Sequence, residues 1–467
     1  MEATETDIVV IGGGPGGYTA AFYAAAKGQR VVLVEKARRL GGVCLNSGCI
    51  PSKALLHVAK VVHEAKCVES CGIEFPKPAI HLSKLRNWKD AILIKLTHGL
   101  MSLAGRRNVT VIFGEARFHS SKVLEVDGQR ISFDHAIIAT GSAPAVPKIF
   151  NINDKRVMTS TEALEIDDIP SDLLVVGGGY IGMELGTVYA ALGSQVVVAE
   201  ALGGILLGAD PDLARIVQDR AMKIFSQIRL NAKVTGLKAE GSGIRVAMEF
   251  EGIRKEERYD RVLVAVGRVP ISGNLGLEKL KIAVDEKGFI RVDKKHRTTV
   301  SHIYAVGDVA GGMLLAHKAS RDAKAAVDHI LREDPPEGRD VMPAVVFTDP
   351  EVAWCGVTEE ESRSNHIPAQ IVKFPWGASG RAASMDRTDG MTKLLIDPKT
   401  EEILGVGICG VGAGELIGEA SLAIQMGAKA ADLARGIRPH PTLSETLTEC
   451  AEMFYGHSTN VFSRKRG

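Results

Sequence analysis

One pattern occurs twice in the chain, and it restricts the fold more than any other feature. The first copy covers residues 7–35 and consists of an apolar run, a glycine-rich turn, a helix of small residues and a second apolar run that ends in Glu35. The second copy covers residues 173–200, ends in Glu200, and lies 165 residues further along. Each copy is typical of a βαβ unit, so we predict an α/β fold with two Rossmann-like nucleotide-binding domains.

The first glycine turn has the spacing Gly12-x-Gly14-x-x-Gly17. The first glycine permits a tight turn, the second lets the backbone approach a pyrophosphate, and the third lets the helix pack closely on the strand. The N-terminus of the following helix favours the negative charge of a phosphate. Glu35 stands at the end of the second strand, where a carboxylate accepts hydrogen bonds from a ribose diol. The pattern predicts a bound dinucleotide.

The second turn, Gly177-x-Gly179-x-x-Gly182, has the same context and predicts a second nucleotide site. Its acidic residue, Glu200, bears on the choice between NAD and NADP. A carboxylate suits free ribose hydroxyls and repels a 2′-phosphate, and residues 201–204 contain no arginine that would receive that phosphate. We therefore expect NAD at this site.

Two cysteines with four residues between them, Cys44 and Cys49, follow the first βαβ unit. Such a pair can close a small disulfide loop if the helix is distorted, and Asn46, Gly48 and Pro51 permit that distortion. A strained and accessible disulfide is a redox device, not a structural link. On these residues alone, two unpaired structural cysteines are an equally good interpretation.

The other cysteines suggest no further framework. The total of seven is odd, which argues against a set of structural disulfides. Cys67 and Cys71 form a second close pair, without glycine or proline around them, and we expect them in a helix or turn. We predict no metal site.

Near the C-terminus, His440 is followed by Pro441, and Glu445 lies five residues after the histidine. Proline restricts the conformation of the residue before it, and the carboxylate can orient the imidazole. A histidine–carboxylate pair is suited to act as a general base for a thiol.

The composition excludes some classes of partner. Lys plus Arg number 57 and Asp plus Glu number 56, a balance that favours neither nucleic acid nor an anionic membrane. No apolar run has the length of a membrane span, and the N-terminal segment has no basic stretch before an apolar one. We therefore expect a cytoplasmic protein.

A chain of 467 residues is too long for one ordinary core. We expect antiparallel strands near residues 109–113 and 122–133, and an α+β pattern from about residue 343. The predicted domains are a first nucleotide-binding domain (1–150), a second (151–270), a central domain that completes the first site (271–342) and a C-terminal interface domain (343–467).

Together these motifs resemble the flavoprotein disulfide reductases. The resemblance runs nearly from end to end, and its motifs occur in the family's order: residues 41–53, 139–142, 177–182, 267–270, 307–308 and 440–445. It implies FAD in the first domain, NAD in the second, and a C-terminal α+β dimerisation domain.

The resemblance also implies roles for individual residues. Cys44 would be the thiol that meets the substrate, and Cys49 would be the thiol beside the flavin. Lys53 would pair with Glu184 near the flavin. His440, oriented by Glu445, would serve the active site of the other subunit of a homodimer.

Further residues are implied to contact the cofactors. Those that would line FAD are Gly12, Gly14, Gly17, Glu35, Lys53, Ala116, Gly141, Asp308 and Ala316. Those that would line NAD are Gly177, Gly179, Gly182, Glu200, Val234 and Gly267.

The activity implied is oxidation of a dihydrolipoyl group on a carrier protein or in a 2-oxoacid dehydrogenase complex, with reduction of NAD⁺. One alternative keeps this chemistry with a different lipoyl carrier, for example in sulfur metabolism, and another is a catalytically silent flavoprotein subunit. Val43, Ser47, Arg321 and the glycine-rich segment 201–209 depart from the family's usual residues, which leaves the choice of partner open.

Overall fold

A computed structural model of the protein describes residues 4–333 and 339–462. The predicted α/β class is confirmed, with two mainly parallel sheets in the N-terminal two thirds and an antiparallel sheet in the C-terminal third. The elements between residues 4 and 144 are β1 (Thr4–Ile11), α1 (Pro15–Ala26), β2 (Val31–Glu35), α2 (Gly42–Ser47), α3 (Cys49–Cys67), α4 (Leu82–Arg106), β3 (Thr110–Phe113), β4 (Ala116–Ser120), β5 (Val123–Val126), β6 (Gln129–Ile138) and β7 (Ser142–Pro144).

The second stretch of the chain contains the repeat of the βαβ unit. Its elements are β8 (Val157–Met158), α5 (Ser160–Ala163), β9 (Asp172–Val176), α6 (Tyr180–Leu192), β10 (Gln195–Ala199), α7 (Pro211–Ala221), β11 (Gln227–Arg229), β12 (Lys233–Glu240), β13 (Gly243–Phe250), β14 (Ile253–Tyr259), β15 (Arg261–Val264) and β16 (Arg268–Pro270).

The remaining stretch returns to the first sheet and then forms a separate one. Its elements are β17 (Ile303–Ala305), α8 (Ala316–Ile330), β18 (Ala344–Val346), β19 (Glu351–Gly356), α9 (Glu359–Ser364), β20 (Gln370–Pro375), α10 (Gly380–Ser384), β21 (Met391–Ile396), β22 (Ile403–Gly410), α11 (Ala413–Gln425), α12 (Ala430–Arg435) and α13 (Glu445–Tyr455). Short 3₁₀ helices cover Val68–Cys71, Lys148–Phe150, Leu277–Leu280, Gly307–Ala310 and Trp376–Ala378.

The first sheet has seven strands in the order β3-β2-β1-β6-β5-β4, with β17 paired to β6. Strand β1 is central because its apolar residues from Ile8 to Ile11 are buried on both faces, as in parallel sheets covered by helices. The predicted antiparallel arrangement of residues 109–113 is wrong: β3 pairs in parallel with β2. The stretch 122–133 does contain an antiparallel pair, β5 and β6.

The second sheet is parallel, with the order β11-β10-β9-β15-β8. An antiparallel meander, β12-β13-β14, interrupts the chain between β11 and β15. The repeated βαβ pattern in the sequence does not predict it. The C-terminal sheet has the order β18-β19-β22-β21-β20, and its core includes the fully buried Trp376. The predicted domain boundaries stay predictions.

A buried ion cluster joins α7 to the C-terminal sheet. Lys393 on β21 is fully buried. Its ammonium lies 2.5 Å from Asp210 Oδ2, 2.7 Å from Asp212 Oδ1 and 3.5 Å from Glu359 Oε1. Lys373 on β20 contacts Asp212 and Glu359 as well, both at 2.7 Å, but its side chain is 40% exposed. The two lysines thus share acidic partners and differ in burial.

We expect the Lys393→Met substitution to lower the free energy of unfolding by about 3–5 kcal/mol, because it leaves buried carboxylates without their cation. Lys373→Met is the matched control, with an expected loss of about 1 kcal/mol or less since water screens that pair. Urea denaturation followed by circular dichroism measures both values. Equal losses of unfolding free energy in the two variants would contradict the explanation that burial of Lys393 makes its substitution the more costly one.

Candidate active site

The segment that carries Cys44 and Cys49 is two helices and not one. Helix α2 holds Cys44 and ends at Ser47, Gly48 interrupts the helical conformation with φ −150° and ψ −109°, and Cys49 begins α3. A Cβ added at Gly48 would lie 2.9 Å from the carbonyl oxygen of Val43. The break brings the two side chains together: both are thiols here, and they are hydrogen-bonded to each other.

The two thiols differ in their acidity. The hydrogen bond donated by Cys44 lowers the pKa of Cys49 to about 7, against the opposing effect of burial, and the Lys53 ammonium lowers it further. The same hydrogen bond and burial raise the pKa of Cys44. In the reduced pair, Cys49 is therefore the thiolate and Cys44 the proton donor.

This difference predicts a pH dependence. In the reduced protein we expect Cys49 to be protonated below about pH 7 and to become a thiolate above it, following the lowered pKa. Lys53→Met should move the midpoint to higher pH, because the cation that favours the thiolate is gone. The ultraviolet absorbance of the thiolate, measured against a Cys49→Ser control, reports the titration. A midpoint unchanged by Lys53→Met would contradict the electrostatic explanation.

Lys53 lies one turn after Cys49 on α3 and forms an ion pair with Glu184 of α6, with Nζ 2.8 Å from Oε2. Glu184 is 3% exposed and accepts further hydrogen bonds from Ser52 Oγ and the Phe347 amide, both at 3.0 Å. The sequence did not predict these two hydrogen bonds to Glu184, although Ser52 stands in the same motif as Lys53. Full hydrogen bonding of the buried carboxylate holds the lysine in place.

A cavity of about 900 Å³ opens beside this pair and runs along the first glycine turn. The residues expected to contact FAD that line it are Gly12, Gly14, Glu35, Lys53, Ala116, Gly141, Asp308 and Ala316. Cys44, Cys49 and Glu184 line it too, so the thiol pair faces the same space as the nucleotide turn. Gly17 lies behind the lining, where an added Cβ would be 1.6 Å from the Gly12 carbonyl oxygen.

Asp308 follows β17 and enters this cavity. Its carboxylate accepts a hydrogen bond from Ser142 Oγ, which in turn accepts one of 2.7 Å from Arg268 Nε. Arg268 Nε lies 3.9 Å from Asp308 Oδ2. This set links β7, β16 and the 3₁₀ helix over Gly307–Ala310 at the cavity wall. Ser142 and Arg268 lie in motifs noted in the sequence, but the sequence assigned no role to their side chains.

Both glycine turns have the features of a phosphate site. No side chain caps α1 at Gly14 or α6 at Gly179, so the amides of each first turn are free to bind an anion. Glu35 accepts hydrogen bonds from the amides of Gly13 (2.6 Å) and Ala37 (2.7 Å).

Glu200 makes the same contacts in the second unit, with the amides of Gly178 (2.6 Å) and Leu202 (2.8 Å). Close packing of strand and helix explains the third glycine, because a Cβ added at Gly182 would lie 2.0 Å from the Gly177 carbonyl oxygen.

The other residues expected to contact NAD lie on neighbouring elements. Val234 is on β12, an edge strand of the meander, and its side chain is buried in the core. Gly267 has φ +123° and joins β15 to β16.

His440 is placed differently from the other candidates. Its Nδ1 lies 2.8 Å from Glu445 Oε1, yet its side chain is 80% exposed and does not line the cavity of the thiol pair. Burial raises the pKa of Glu445, but hydrogen bonds from the Thr442 amide and from His440 outweigh it and lower the pKa overall. A single chain therefore presents this pair outward.

Within the described residues, no three His, Cys, Asp or Glu side chains are grouped so as to hold a metal ion. In the same part of the chain, no helix combines the length and the apolar character that crossing a membrane requires.

Comparison with known proteins assigns the chain to a family. Residues 6–323 match the family described as pyridine nucleotide-disulphide oxidoreductase, and residues 342–451 match the dimerisation domain of that family. The chain belongs to this family. The resemblance seen in the motifs is thereby confirmed, as is the fold class with its C-terminal dimerisation domain. FAD and NAD are the cofactors of the family, and the uncapped helices, the two acidic residues and the cavity fit them.

Relatives and solved structures agree with the family assignment. The chain is 44% identical to the dihydrolipoyl dehydrogenase of Vibrio parahaemolyticus, over 99% of this chain and 98% of the relative. It is 45% identical to the dihydrolipoyl dehydrogenase of Haemophilus influenzae, over 99% and 97%. The HOCl-induced flavoprotein disulfide reductase RclA from Escherichia coli superimposes with a TM-score of 0.86 at 31% identity, covering 96% of this chain and 99% of that structure.

The carboxylate of Glu200 predicts a preference for NADH over NADPH that can be measured. Glu200→Gln should reduce the preference for NADH over NADPH about tenfold, because a charge repulsion of roughly 1.4 kcal/mol with the 2′-phosphate is removed. Bleaching of the flavin by each nucleotide measures the preference. Glu35→Gln, the equivalent change in the first unit, is the control and should leave the ratio unchanged. A ratio that stays constant in Glu200→Gln would refute the assignment.

Proposed function

We propose that this protein is a dihydrolipoyl dehydrogenase, which oxidises dihydrolipoyl groups to the cyclic disulfide and reduces NAD⁺ to NADH. The observation that carries the proposal is the adjacent thiol pair, Cys44 and Cys49, in the wall of the cavity that fits FAD. Full-length relatives that bear this name, at 44–45% identity, support lipoamide as the substrate.

The thiol exchange is assigned to the side chains of this chain. A dihydrolipoyl thiol gives its proton to His440 of the partner subunit and attacks Cys44 Sγ in the oxidised Cys44–Cys49 pair. The bond between the two protein sulfurs breaks, and Cys49 leaves as a thiolate. The second lipoyl thiol attacks the mixed disulfide and its proton passes to Cys44 as that sulfur is released, so that the Cys44 thiol, the Cys49 thiolate, a protonated His440 of the partner subunit and one lipoyl disulfide result.

The geometry explains why each residue suits its step. Glu445 holds Nδ1 of His440, which leaves Nε2 as the nitrogen that accepts the proton. The pKa of Cys49, lowered to about 7, makes it the better leaving group of the pair. FAD bound in the cavity would take the electron pair from the dithiol and deliver it to NAD⁺. Lys53 and Glu184 place a fixed charge pair in the wall of the same cavity.

The exposure of His440 supports a homodimer, since the base must reach the thiol pair of another subunit. The match to the dimerisation domain of the family supports the same assembly. The lipoyl group is proposed to arrive on a carrier protein or in a 2-oxoacid dehydrogenase complex, in the cytoplasm.

Steady-state assays of the purified yellow protein test the proposal. NADH formation from NAD⁺ and dihydrolipoamide should be rapid, and NADP⁺ should be a poor acceptor. Lipoylated carrier proteins of several types should then rank by kcat/KM and identify the partner. A protein that retains FAD and accepts electrons from NADH but does not turn over dihydrolipoamide or any lipoylated carrier would refute the proposed substrate.

A further inference from the structure

A second cavity, of about 1090 Å³, extends along α3 from Lys53, which also lines the first cavity, to Cys67. It is lined by the C-terminal half of α3, including His63 and Cys67, and by residues such as Asp349 of the C-terminal domain. The activity proposed above makes no use of these side chains. Cys67 is half-buried in the wall of this cavity, and Cys71, four residues on, is exposed.

Cys67 has a base and a cation in contact with its sulfur. His63, one turn earlier on α3, places Nε2 3.3 Å from Cys67 Sγ. Arg220 of α7 donates to the same Nε2 at 2.6 Å and lies 3.8 Å from the sulfur. Burial lowers the pKa of His63, although Asp349 opposes this effect, so the ring is neutral and Nε2 is an acceptor near pH 7. The single lone pair of Nε2 is approached by both the Arg220 guanidinium and the Cys67 thiol. Nε2 can take the thiol proton when the guanidinium turns from the ring to the nearby sulfur, where it stabilises the anion.

The surroundings contain polar atoms that no hydrogen bond satisfies. Arg387 is 7% exposed, and its Nε and that of Arg220 have no hydrogen-bond partner among the described residues. Each lies only at ion-pair distance from Asp389, at 3.6 and 3.8 Å. Buried N–H groups without partners are costly, so this cluster holds cationic groups that are not fully neutralised by hydrogen bonds. The carboxylate oxygens Asp349 Oδ2 and Asp389 Oδ2 are also without a hydrogen-bond partner among the described residues, and this cluster of charges reaches Cys67 through Arg220.

Cys71 is placed to reach Cys67 after a local change. A 3₁₀ helix over Val68–Cys71 continues α3, and Ser70 Oγ donates to the Cys67 carbonyl at 2.9 Å. Residues four apart on a helix have Cβ atoms about 5–6 Å apart, whereas a disulfide needs about 3.5–4.5 Å. A disulfide between the two therefore requires this turn to open, and poorer hydrogen bonds make 3₁₀ turns the easier ones to open.

We propose that Cys67 and Cys71 are a second thiol couple, separate from the Cys44–Cys49 pair, that is oxidised by hydrogen peroxide. His63 accepts the proton of Cys67, the sulfur attacks one peroxide oxygen, and the O–O bond breaks. Cys67 becomes a sulfenic acid and the other oxygen leaves as water after taking a proton. Cys71 then attacks the Cys67 sulfur, the S–O bond breaks, a second water leaves, and a Cys67–Cys71 disulfide remains.

The couple can be followed by mass spectrometry of the dimeric holoenzyme. Trypsin separates the two pairs, with Cys44 and Cys49 in residues 40–53 and Cys67 and Cys71 in residues 67–84. The oxidised holoenzyme is treated with substoichiometric peroxide, and the remaining thiols are alkylated. The masses of the tryptic peptides are then measured. We expect peptide 67–84 to lose two hydrogens, and Cys71→Ser to accumulate a sulfenic acid at Cys67 that dimedone traps.

The rate of the reaction distinguishes a built site from simple exposure. In His63→Gln the oxidation of peptide 67–84 should slow at least about tenfold, because the base is lost. Exposure alone would make Cys71 react first, since it is the more accessible thiol. Dimedone on Cys71 before Cys67, an unchanged rate in His63→Gln, or a peptide that stays fully alkylated would each overturn the proposal. Dihydrolipoamide turnover of Cys71→Ser confirms that the variant is folded.

Discussion

Cys44→Ser and Cys49→Ser are each expected to lower kcat/KM for dihydrolipoamide by at least about 10³-fold, as removal of a covalent catalytic group does. Neither variant can form the disulfide that accepts the substrate thiol. The two should differ in a second property: Cys44→Ser keeps a thiolate beside the flavin, whereas Cys49→Ser lacks it. A long-wavelength absorption band should therefore appear at alkaline pH in Cys44→Ser only.

Cys355→Ser is the matched control for this pair, because Cys355 is a buried thiol on β19 outside both cavities. It should retain dihydrolipoamide turnover. Activity within about tenfold of the parent in Cys44→Ser or Cys49→Ser would show that the disulfide is not on the reaction path.

His440→Gln is expected to lower dihydrolipoamide oxidation by about 10²–10⁴-fold, the usual contribution of a general base. The imidazole takes the thiol proton, and glutamine keeps some of the hydrogen bonding to Glu445 without the basicity. NADH oxidation by an artificial electron acceptor should stay within a few-fold, because that reaction by-passes thiol exchange. The ratio of the two activities is the measurement.

Mixing subunits sharpens the test of His440. A heterodimer of one His440→Gln chain and one Cys44→Ser chain contains one intact site if the base comes from the partner, and none if it comes from the same chain. We expect about half of the activity of the parent dimer, as the exposed position of His440 implies. An inactive heterodimer would contradict the shared site.

Much of the fold followed from local patterns. The two βαβ units were predictable because strand, glycine turn, helix and acidic residue are contiguous in sequence, and the structure places each of them as expected. The direction of β3 was not predictable, because the residues of a short four-residue strand do not indicate which strand it pairs with or in which direction. Its partner β2 is about eighty residues away, beyond two long helices.

The candidate site shows the same division. Cys44, Cys49 and Lys53 share one short segment, so their proximity was foreseeable. Ser142 and Arg268 beside Asp308 begin the strands β7 and β16, which are remote in sequence and meet only in the folded chain. The second thiol cluster is a further case, since Arg220 reaches His63 across two parts of the molecule.

The decisive measurement is an anaerobic half-reaction without NAD⁺. One equivalent of dihydrolipoamide per subunit is added to the oxidised holoenzyme, and new thiols are alkylated and located by mass spectrometry. We expect one equivalent of lipoamide to form and new alkylation to appear in residues 40–53, at Cys44 and Cys49, with none at Cys355 or Cys450. Lipoamide formation without new alkylation at either cysteine, or no reaction at all, would contradict a redox-active Cys44–Cys49 disulfide.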